Sequence, residues 1–358
     1  MPAESGQIRT RVLRVNPSKL NMRVIGEAAA VIKKGGLVAF PTETVYGLGA
    51  DALSSDAVSK IFVAKGRPQD NPIIVHVSSL DDLNRVAFQI SERAKTLIEG
   101  FWPGPLTLLF KKRNAVPEVT VAGLDTVAVR MPKHPVALAL IRASGTPIAA
   151  PSANISGSPS PTTAKHVFTD LNGRIDLILD GGESMIGVES TVLDITTSPP
   201  VVLRPGGTTI EQIESCIGEV ILHPAASAEI RLDSVLAKSP GMKYKHYAPQ
   251  GLMVLIEGDD LEKVRSKVQE TADQLRRQGK KKVAIIAPSG HGYKAAITVS
   301  LGGRDDLEQI ARNLFSTLRK MDEEKVDAIV VEGVEAKGLG LAIMNRLRRA
   351  SGGNIVEA

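Results

Sequence analysis

One cysteine, Cys216, occurs in 358 residues, which excludes an intrachain disulfide and a cysteine-built zinc site. That usage fits a reducing compartment, and a cytoplasmic protein is expected. Aromatic residues make up 3% of the chain. The cores must therefore be filled mainly by Val, Ile, Leu and Ala. No window approaches the ~20 apolar residues of a membrane span, and the N-terminus lacks the apolar centre of a signal peptide. No block of like charge is long enough for a nucleic-acid tail; Lys280-Lys281-Lys282 reads as a helix end. No coiled coil or long apolar surface helix demands a partner, so a monomer is expected. The sequence also lacks G-x-x-x-x-G-K-[ST], H-E-x-x-H and a strand followed by G-x-G-x-x-G. Ser190 has no adjacent histidine and no G-x-S-x-G context, which argues against a hydrolase nucleophile.

Hydrophobic content of 43% allows sizeable cores, and the length favours two domains. The formal net charge of +5 fits a nucleotide or RNA partner as well as a merely soluble protein. Apolar spacing predicts helices over Asn21–Lys34 and Asp56–Ala64, the second with Ser55 as N-cap. Leu37–Phe40 reads as a buried strand. Further strand-like runs are Ile73–Val77, Leu106–Lys111, Val127–Arg130, Pro147–Ala150, Leu177–Leu179, Thr191–Ile195 and Val201–Leu203. Several follow one another without a helix, which predicts a mixed sheet. After residue 222 the texture changes: 223–251 has little apolar periodicity and ends in Ser239-Pro240-Gly241-Met242-Lys243-Tyr244-Lys245-His246-Tyr247. From Leu252 on, short apolar strands alternate with helices at Leu261–Gln278, Asp305–Met321 and Leu339–Ala350, predicting a small parallel α/β domain. The expected organisation is a catalytic domain over 1–222, a linker or lid over 223–251 and a C-terminal domain over 252–358.

Two runs carry the clearest chemistry. Lys65-Gly66-Arg67 places two cations at a helix end, followed by the rigid Pro68 to Asn71-Pro72. They could grip phosphates, or merely cap the helix. Pro151-Ser152-Ala153-Asn154 offers a hydroxyl and an amide in a loop of small residues. Pro41-Thr42-Glu43-Thr44-Val45-Tyr46-Gly47 follows the first strand and suits either a ligand loop or a tight turn. Arg130 and Arg204 end apolar strands and are candidate partners for carboxylate or phosphate, or edge arginines in surface pairs. His76 lies in an apolar strand, where a satisfied core histidine is the alternative. Phe101-Trp102-Pro103 reads as a packed corner.

In combination, Pro41–Leu48, Lys65-Gly66-Arg67, Ser152-x-Asn154 and Ser239–Tyr247 resemble the two-domain threonylcarbamoyl-AMP synthase family over nearly the whole chain. The resemblance implies a YrdC-like twisted open mixed α/β sheet and a smaller Rossmann-like parallel α/β domain. It implies a nucleotidyltransferase that makes L-threonylcarbamoyl-adenylate from L-threonine, bicarbonate and ATP, releasing pyrophosphate. The product would supply threonylcarbamoyladenosine modification of tRNA next to the anticodon, through other tRNA-modification proteins. Lys65, Arg67, Ser152 and Asn154 would form the signature tetrad. Arg67, Asn71, Thr126, Ser152, Ser160 and Arg204 would contact ATP. Thr44, His76, Arg130, Ala150 and Ser190 would contact threonine. Lys243, Tyr244 and Tyr247 would belong to a lid. Mg2+ would be held mainly through the ATP phosphates, because no carboxylate cluster marks a protein-built metal site. The competing readings are an RNA-binding module with a basic concave surface and a nucleotide-regulated partner of tRNA-modification proteins.

Overall fold

The computed structural model describes residues 8–227, 247–289 and 292–358. Two sheets organise them. The first contains β1 (Arg11–Arg14), β2 (Val38–Phe40), β3 (Gly47–Asp51), β4 (Val75–His76), β5 (Leu106–Lys111) and β6 (Thr126–Arg130). It continues with β7 (Ile148–Ala149), β8 (Leu177–Asp180), β9 (Thr191–Asp194), β10 (Val201–Arg204) and β11 (Ile221–Leu222). Their spatial order is β1-β8-β2-β3-β7-β4-β6-β5-β9-β10-β11. Pairing is mixed: β4 with β6 and β5 with β9 are parallel, whereas β2 with β3 and β5 with β6 are antiparallel.

The second sheet contains β12 (Leu252–Glu257), β13 (Val283–Ala287), β14 (Ile297–Ser300), β15 (Ala328–Glu332) and β16 (Ile355–Glu357), ordered β14-β13-β15-β12-β16. Each of its pairings is parallel. Helices α10 (Leu261–Arg277), α11 (Leu307–Glu323) and α12 (Leu339–Ser351) alternate with these strands. The mixed first sheet and parallel second sheet are the expected fold class.

The remaining helices belong to the first sheet: α1 (Met22–Lys33), α2 (Ser55–Lys65), α3 (Leu80–Val86), α4 (Glu92–Phe101), α5 (Glu118–Val121), α6 (Pro135–Ser144), α7 (Ala164–Leu171), α8 (Ile210–Ile217) and α9 (Pro224–Ser227). Helix α2 shows how a local signal becomes site geometry. It buries Ala57, Val58, Ile61 and Phe62 on one face. Its N-cap is Ser54, not Ser55: the Ser54 side chain accepts from the Ala57 N–H. At the other end Gly66 adopts φ 60°, a left-handed conformation that costs glycine little. The Arg67 N–H then bonds back to the Phe62 carbonyl at 3.0 Å. This stop turns Arg67 away from the helix axis while Lys65 stays on the last turn.

Other differences follow from short or glycine-rich elements. Gly47–Asp51 forms strand β3 where a loop was expected, because antiparallel pairing with β2 supplies the order its glycines lack. Strands β1, β14 and β16 and helices α3, α7 and α8 carry too few periodic residues to stand out in the sequence. The first sheet's last strand ends at Leu222 and the second sheet's first begins at Leu252.

The two sheets have separate apolar cores, with one telling exception. Val45 and Val188, from loops of the first sheet, and Tyr247 pack into the cluster around Phe315, Leu314 and Leu318 of α11. Gly187, at φ 81°, sits so close to α11 that an added Cβ would lie 2.4 Å from the Ala311 carbonyl oxygen and from Arg312 Cα. The loops beside the site described next are therefore seated against the C-terminal unit.

Candidate active site

A cavity opens where the ends of β4, β6 and β10 meet the loops after β2 and β7. Its walls include Thr44, Arg67, His76, Arg130, Ser152, Glu189, Ser190, Arg204 and Tyr247. Loops at strand ends are where α/β folds leave room for ligands, and here the cavity draws on residues far apart in sequence.

Arg130 fixes one end. The parallel pairing of β4 with β6 sets His76 beside Arg130. The Arg130 guanidinium donates from Nε to the Gly104 carbonyl at 3.1 Å and from Nη1 to the Thr44 hydroxyl at 2.9 Å. Its Nη2 lies 2.7 Å from Glu43 Oε1, and both side chains are buried. Thr42 and Thr44 share a hydroxyl hydrogen bond of 2.9 Å, and Thr42 donates to the Val45 carbonyl at 2.6 Å. The Thr42–Val45 loop is thus held as a polar wall around one ion pair. His76 is buried; desolvation first, and the Arg130 charge second, push its pKa down to about 3. It stays neutral at physiological pH. The Ala150 backbone N–H is committed to the Ile74 carbonyl at 2.9 Å, and Ala150 lines the same end.

Arg67 and Arg204 line the same cavity. Arg67 donates from Nη2 to the carbonyls of Asn71 and Pro72, at 3.3 and 3.1 Å. Burial lowers its pKa to about 10, which leaves it cationic at neutral pH. Arg204 donates from Nε and Nη2 to the Ser190 carbonyl at 3.1 and 3.0 Å, and from Nη2 to the Ser190 hydroxyl at 3.2 Å. Ser190 also shares a 2.8 Å hydrogen bond with Thr107.

Ser152 also lines the cavity, backed by Asn154. The Ser152 hydroxyl donates to Asn154 Oδ1 at 2.6 Å. Asn154 Nδ2 donates to the carbonyls of Ile155 and Ser158 at 2.7 and 2.9 Å. Lys65 lies behind this loop, not in the cavity. Its Nζ donates to the Ser152 and Asn154 carbonyls, at 2.5 Å each. Burial, then the neighbouring Arg67 charge, holds its pKa well below the ordinary value. Lys65 is placed to set the loop, with Arg67 as the cation that faces inward.

The structure thus brings Arg67, Ser152, Arg204, Thr44, His76, Arg130, Ala150, Ser190 and Tyr247 to one cavity. Five anticipated residues stand outside its lining. Lys65 and Asn154 support the Ser152 wall. Asn71 is buried with its carbonyl on Arg67. Ser160 is buried one layer out and donates to Glu189 Oε1 at 2.6 Å. Thr126 is the fifth. It opens β6 opposite Lys111, at the far end from Arg130, which is about 13 Å along a strand. Lys243 and Tyr244 lie outside the described residues.

Glu189 is a cavity residue that carries no signal of its own in the sequence beyond its place next to Ser190. Its carboxylate accepts from Arg346 Nε at 2.8 Å, and Arg346 belongs to α12 of the C-terminal unit. Burial pushes the Glu189 pKa up, but Arg346, Arg204 and the Ser160 hydroxyl outweigh it and bring it to about 2. Three guanidinium groups therefore line the cavity against one carboxylate, itself neutralised from behind. Such a field favours an anionic ligand.

Comparison with known proteins agrees with this architecture. The Sua5/YciO/YrdC family model, described as "Telomere recombination", matches residues 30–206. A model described as "Threonylcarbamoyl-AMP synthase, C-terminal domain" matches residues 208–352. The threonylcarbamoyl-AMP synthase of Pyrococcus abyssi is 56% identical over 330 residues, 92% of this chain and 94% of that protein. The Bacillus subtilis protein of the same name is 50% identical over 334 residues, covering 93% and 94%. A crystal structure of P. abyssi Sua5 complexed with L-threonine superimposes with a TM-score of 0.91 at 53% identity, covering 98% of this chain and 99% of that one. Two matched units in one order, and similarity running the length of both chains, place this chain in the threonylcarbamoyl-AMP synthase family of enzymes.

Proposed function

We propose that the protein joins L-threonine, bicarbonate and ATP into L-threonylcarbamoyl-adenylate and releases pyrophosphate. The observation that carries this reading is the gathering of three guanidinium groups, with the Thr44 hydroxyl, in one cavity. Arg67 and Arg204 suit the phosphates of a nucleotide, and Arg130 with Thr44 suits the carboxylate and hydroxyl of a small amino acid. The P. abyssi relative crystallised with L-threonine supports the amino-acid end.

In this reaction the amine of threonine first forms a carbamate with bicarbonate, with loss of water. A carbamate oxygen then attacks the α-phosphorus, the α–β phosphoanhydride bond breaks, and pyrophosphate departs with its electron pair. The attacking oxygen is already anionic, so no strong base is required. That need fits a cavity whose histidine is held neutral. What the chain supplies is alignment and charge: Arg130 orients the threonine carboxylate while Arg67 and Arg204 offset the phosphate charge. Carbamates and mixed anhydrides decompose in water, so a buried Tyr247 over the cavity serves the same end.

Among the described residues no cluster of three His, Cys, Asp or Glu could hold a metal ion. The nearby carboxylates Glu43 and Glu189 already pair with Arg130 and Arg346. These residues do not fit a protein-built Mg2+ site, and Mg2+ would arrive on the ATP phosphates. The adenylate would pass to proteins that modify tRNA next to the anticodon. Pyrophosphate release, measured with threonine and bicarbonate withheld in turn, tests the reading. Release that ignores both omissions would sink it.

A further inference from the structure

Arg346 is fully buried, yet it belongs to a helix of the C-terminal unit. Its guanidinium bridges two pieces of the first sheet. Nε donates to Glu189 at 2.8 Å, and Nη1 donates to the Pro205 carbonyl at 2.7 Å. Glu189 immediately precedes Ser190, and Pro205 immediately follows Arg204. Ser190 and Arg204 are themselves joined, through the Ser190 carbonyl, at 3.0 Å. Arg346 therefore closes a four-membered arrangement from behind. Gly206 confirms how tightly these strands press together: a Cβ there would lie 2.3 Å from the Glu189 oxygen and the Ser190 carbonyl carbon. Arg346 is held in turn by Asn345 Oδ1, which accepts from Nη1 at 2.9 Å, and its Cζ lies 5.8 Å from the centre of the Tyr247 ring.

We infer that Arg346 is a positioning residue for the cavity: by gripping Glu189 and Pro205 it fixes the Ser190–Arg204 pair that faces the nucleotide. The inference rests on the synthase reading above. It makes the C-terminal unit part of the active site, although none of that unit's described strands lines the cavity. The physical reason is the cost of a lone buried charge. Without Arg346, the Glu189 carboxylate has Arg204 as its next cation. A rearranged Arg204 would leave Ser190 and turn from the phosphates.

The test uses full-length protein: wild type, Arg346→Met, Arg346→Lys and the double variant Arg346→Met/Glu189→Gln. Thermal melting, calorimetric affinity for a non-hydrolysable ATP analogue and pyrophosphate release are measured on each. Arg346→Met is expected to weaken the analogue by about tenfold or more, as expected for stranding one member of a buried charge pair. The double variant removes the stranded charge and should recover most of that affinity. Arg346→Lys keeps the charge, supports folding if Met does not, and should fall between wild type and Arg346→Met. Wild-type affinity in a folded Arg346→Met protein would overturn the inference. So would a double variant no better than the single, with melting and binding falling in parallel, because that pattern marks a purely structural role. A wild-type protein that binds the analogue but releases no pyrophosphate would sink the synthase reading instead. The affinity comparison would still decide the role of Arg346.

Discussion

Lys65 Nζ lies 2.5 Å from the Asn154 carbonyl oxygen, across 89 residues of sequence. The same nitrogen also serves the Ser152 carbonyl. This relationship changes what the lysine is for. A cation that could have gripped phosphate or capped its helix holds the loop that carries Ser152, while Arg67 lines the cavity.

Replacing Lys65 with Met should therefore act through the loop. Two buried carbonyls would lose their donor, at about 1–3 kcal/mol each when nothing replaces it. Turnover should fall at least ~10²-fold, the scale of losing a preorganised contact. Amide hydrogen exchange over residues 152–158 should quicken in the same variant. Unchanged exchange with lost turnover would return Lys65 to the phosphates.

Arg130 makes a different prediction. Its Nε and Nη1 donate to Gly104 and Thr44 while Nη2 pairs in charge with Glu43, an arrangement that lysine cannot copy. Arg130→Lys should raise KM for threonine by about tenfold, equal to ~1.4 kcal/mol, while leaving affinity for ATP nearly unchanged. Steady-state kinetics with each substrate varied in turn would check the split. Equal losses for both substrates would remove Arg130 from the threonine end.

Arg319 ties the C-terminal unit to the Ser152 wall by a second route. It donates to both oxygens of Asp170, at 2.9 and 2.8 Å, and to the Pro159 carbonyl at 2.6 Å. Asp170 Oδ2 in turn accepts from the Ile155 N–H at 3.2 Å. Arg319→Ala strands a nearly buried carboxylate, and a loss of about 3–5 kcal/mol in stability is expected. Chemical denaturation would measure it. A loss confined to a few tenths would mean that the two units are held together elsewhere.

The pH dependence of stability follows from His76. Its pKa falls from an ordinary 6.5 to about 3 on folding. Between these values the unfolded chain binds a proton that the folded chain refuses, so stability rises with pH across that window and is lost as pH falls from 6.5 toward 3. His166, lowered to about 4 by burial, acts in the same direction. His76→Gln should reduce, without abolishing, the slope of melting temperature against pH from 4.5 to 6.5. An unchanged slope would mean that His76 is not buried neutral in the folded protein.

How much of this was legible depended on whether a signal was local. Gly66 marks the end of α2 in sequence because only the helix stop and its left-handed turn are needed to aim Arg67. Ser152 and Asn154 are legible for the same reason, lying within one short loop. The strand alternation after Leu252 gave away a parallel sheet, since each strand is a continuous apolar run. Thr126 shows the opposite: it opens the strand that Arg130 ends, and nothing local in the sequence says which end faces a ligand. The pairing of Arg346 with Glu189 spans 157 residues and exists only because the fold brings α12 to Glu189 and Pro205. Neither residue carries a local pattern that names the other. β3 was hidden because its glycines are tolerated only through pairing on both sides, with β2 and β7.

The central claim is that one cavity joins carbon from bicarbonate to threonine and to the α-phosphate of ATP. Mass spectrometry of the reaction with 13C-bicarbonate tests it most directly. The account predicts an adduct containing threonine, one labelled carbon and AMP, which vanishes when threonine is omitted. Pyrophosphate formed without any labelled adduct, or an AMP adduct of threonine lacking the label, would contradict it.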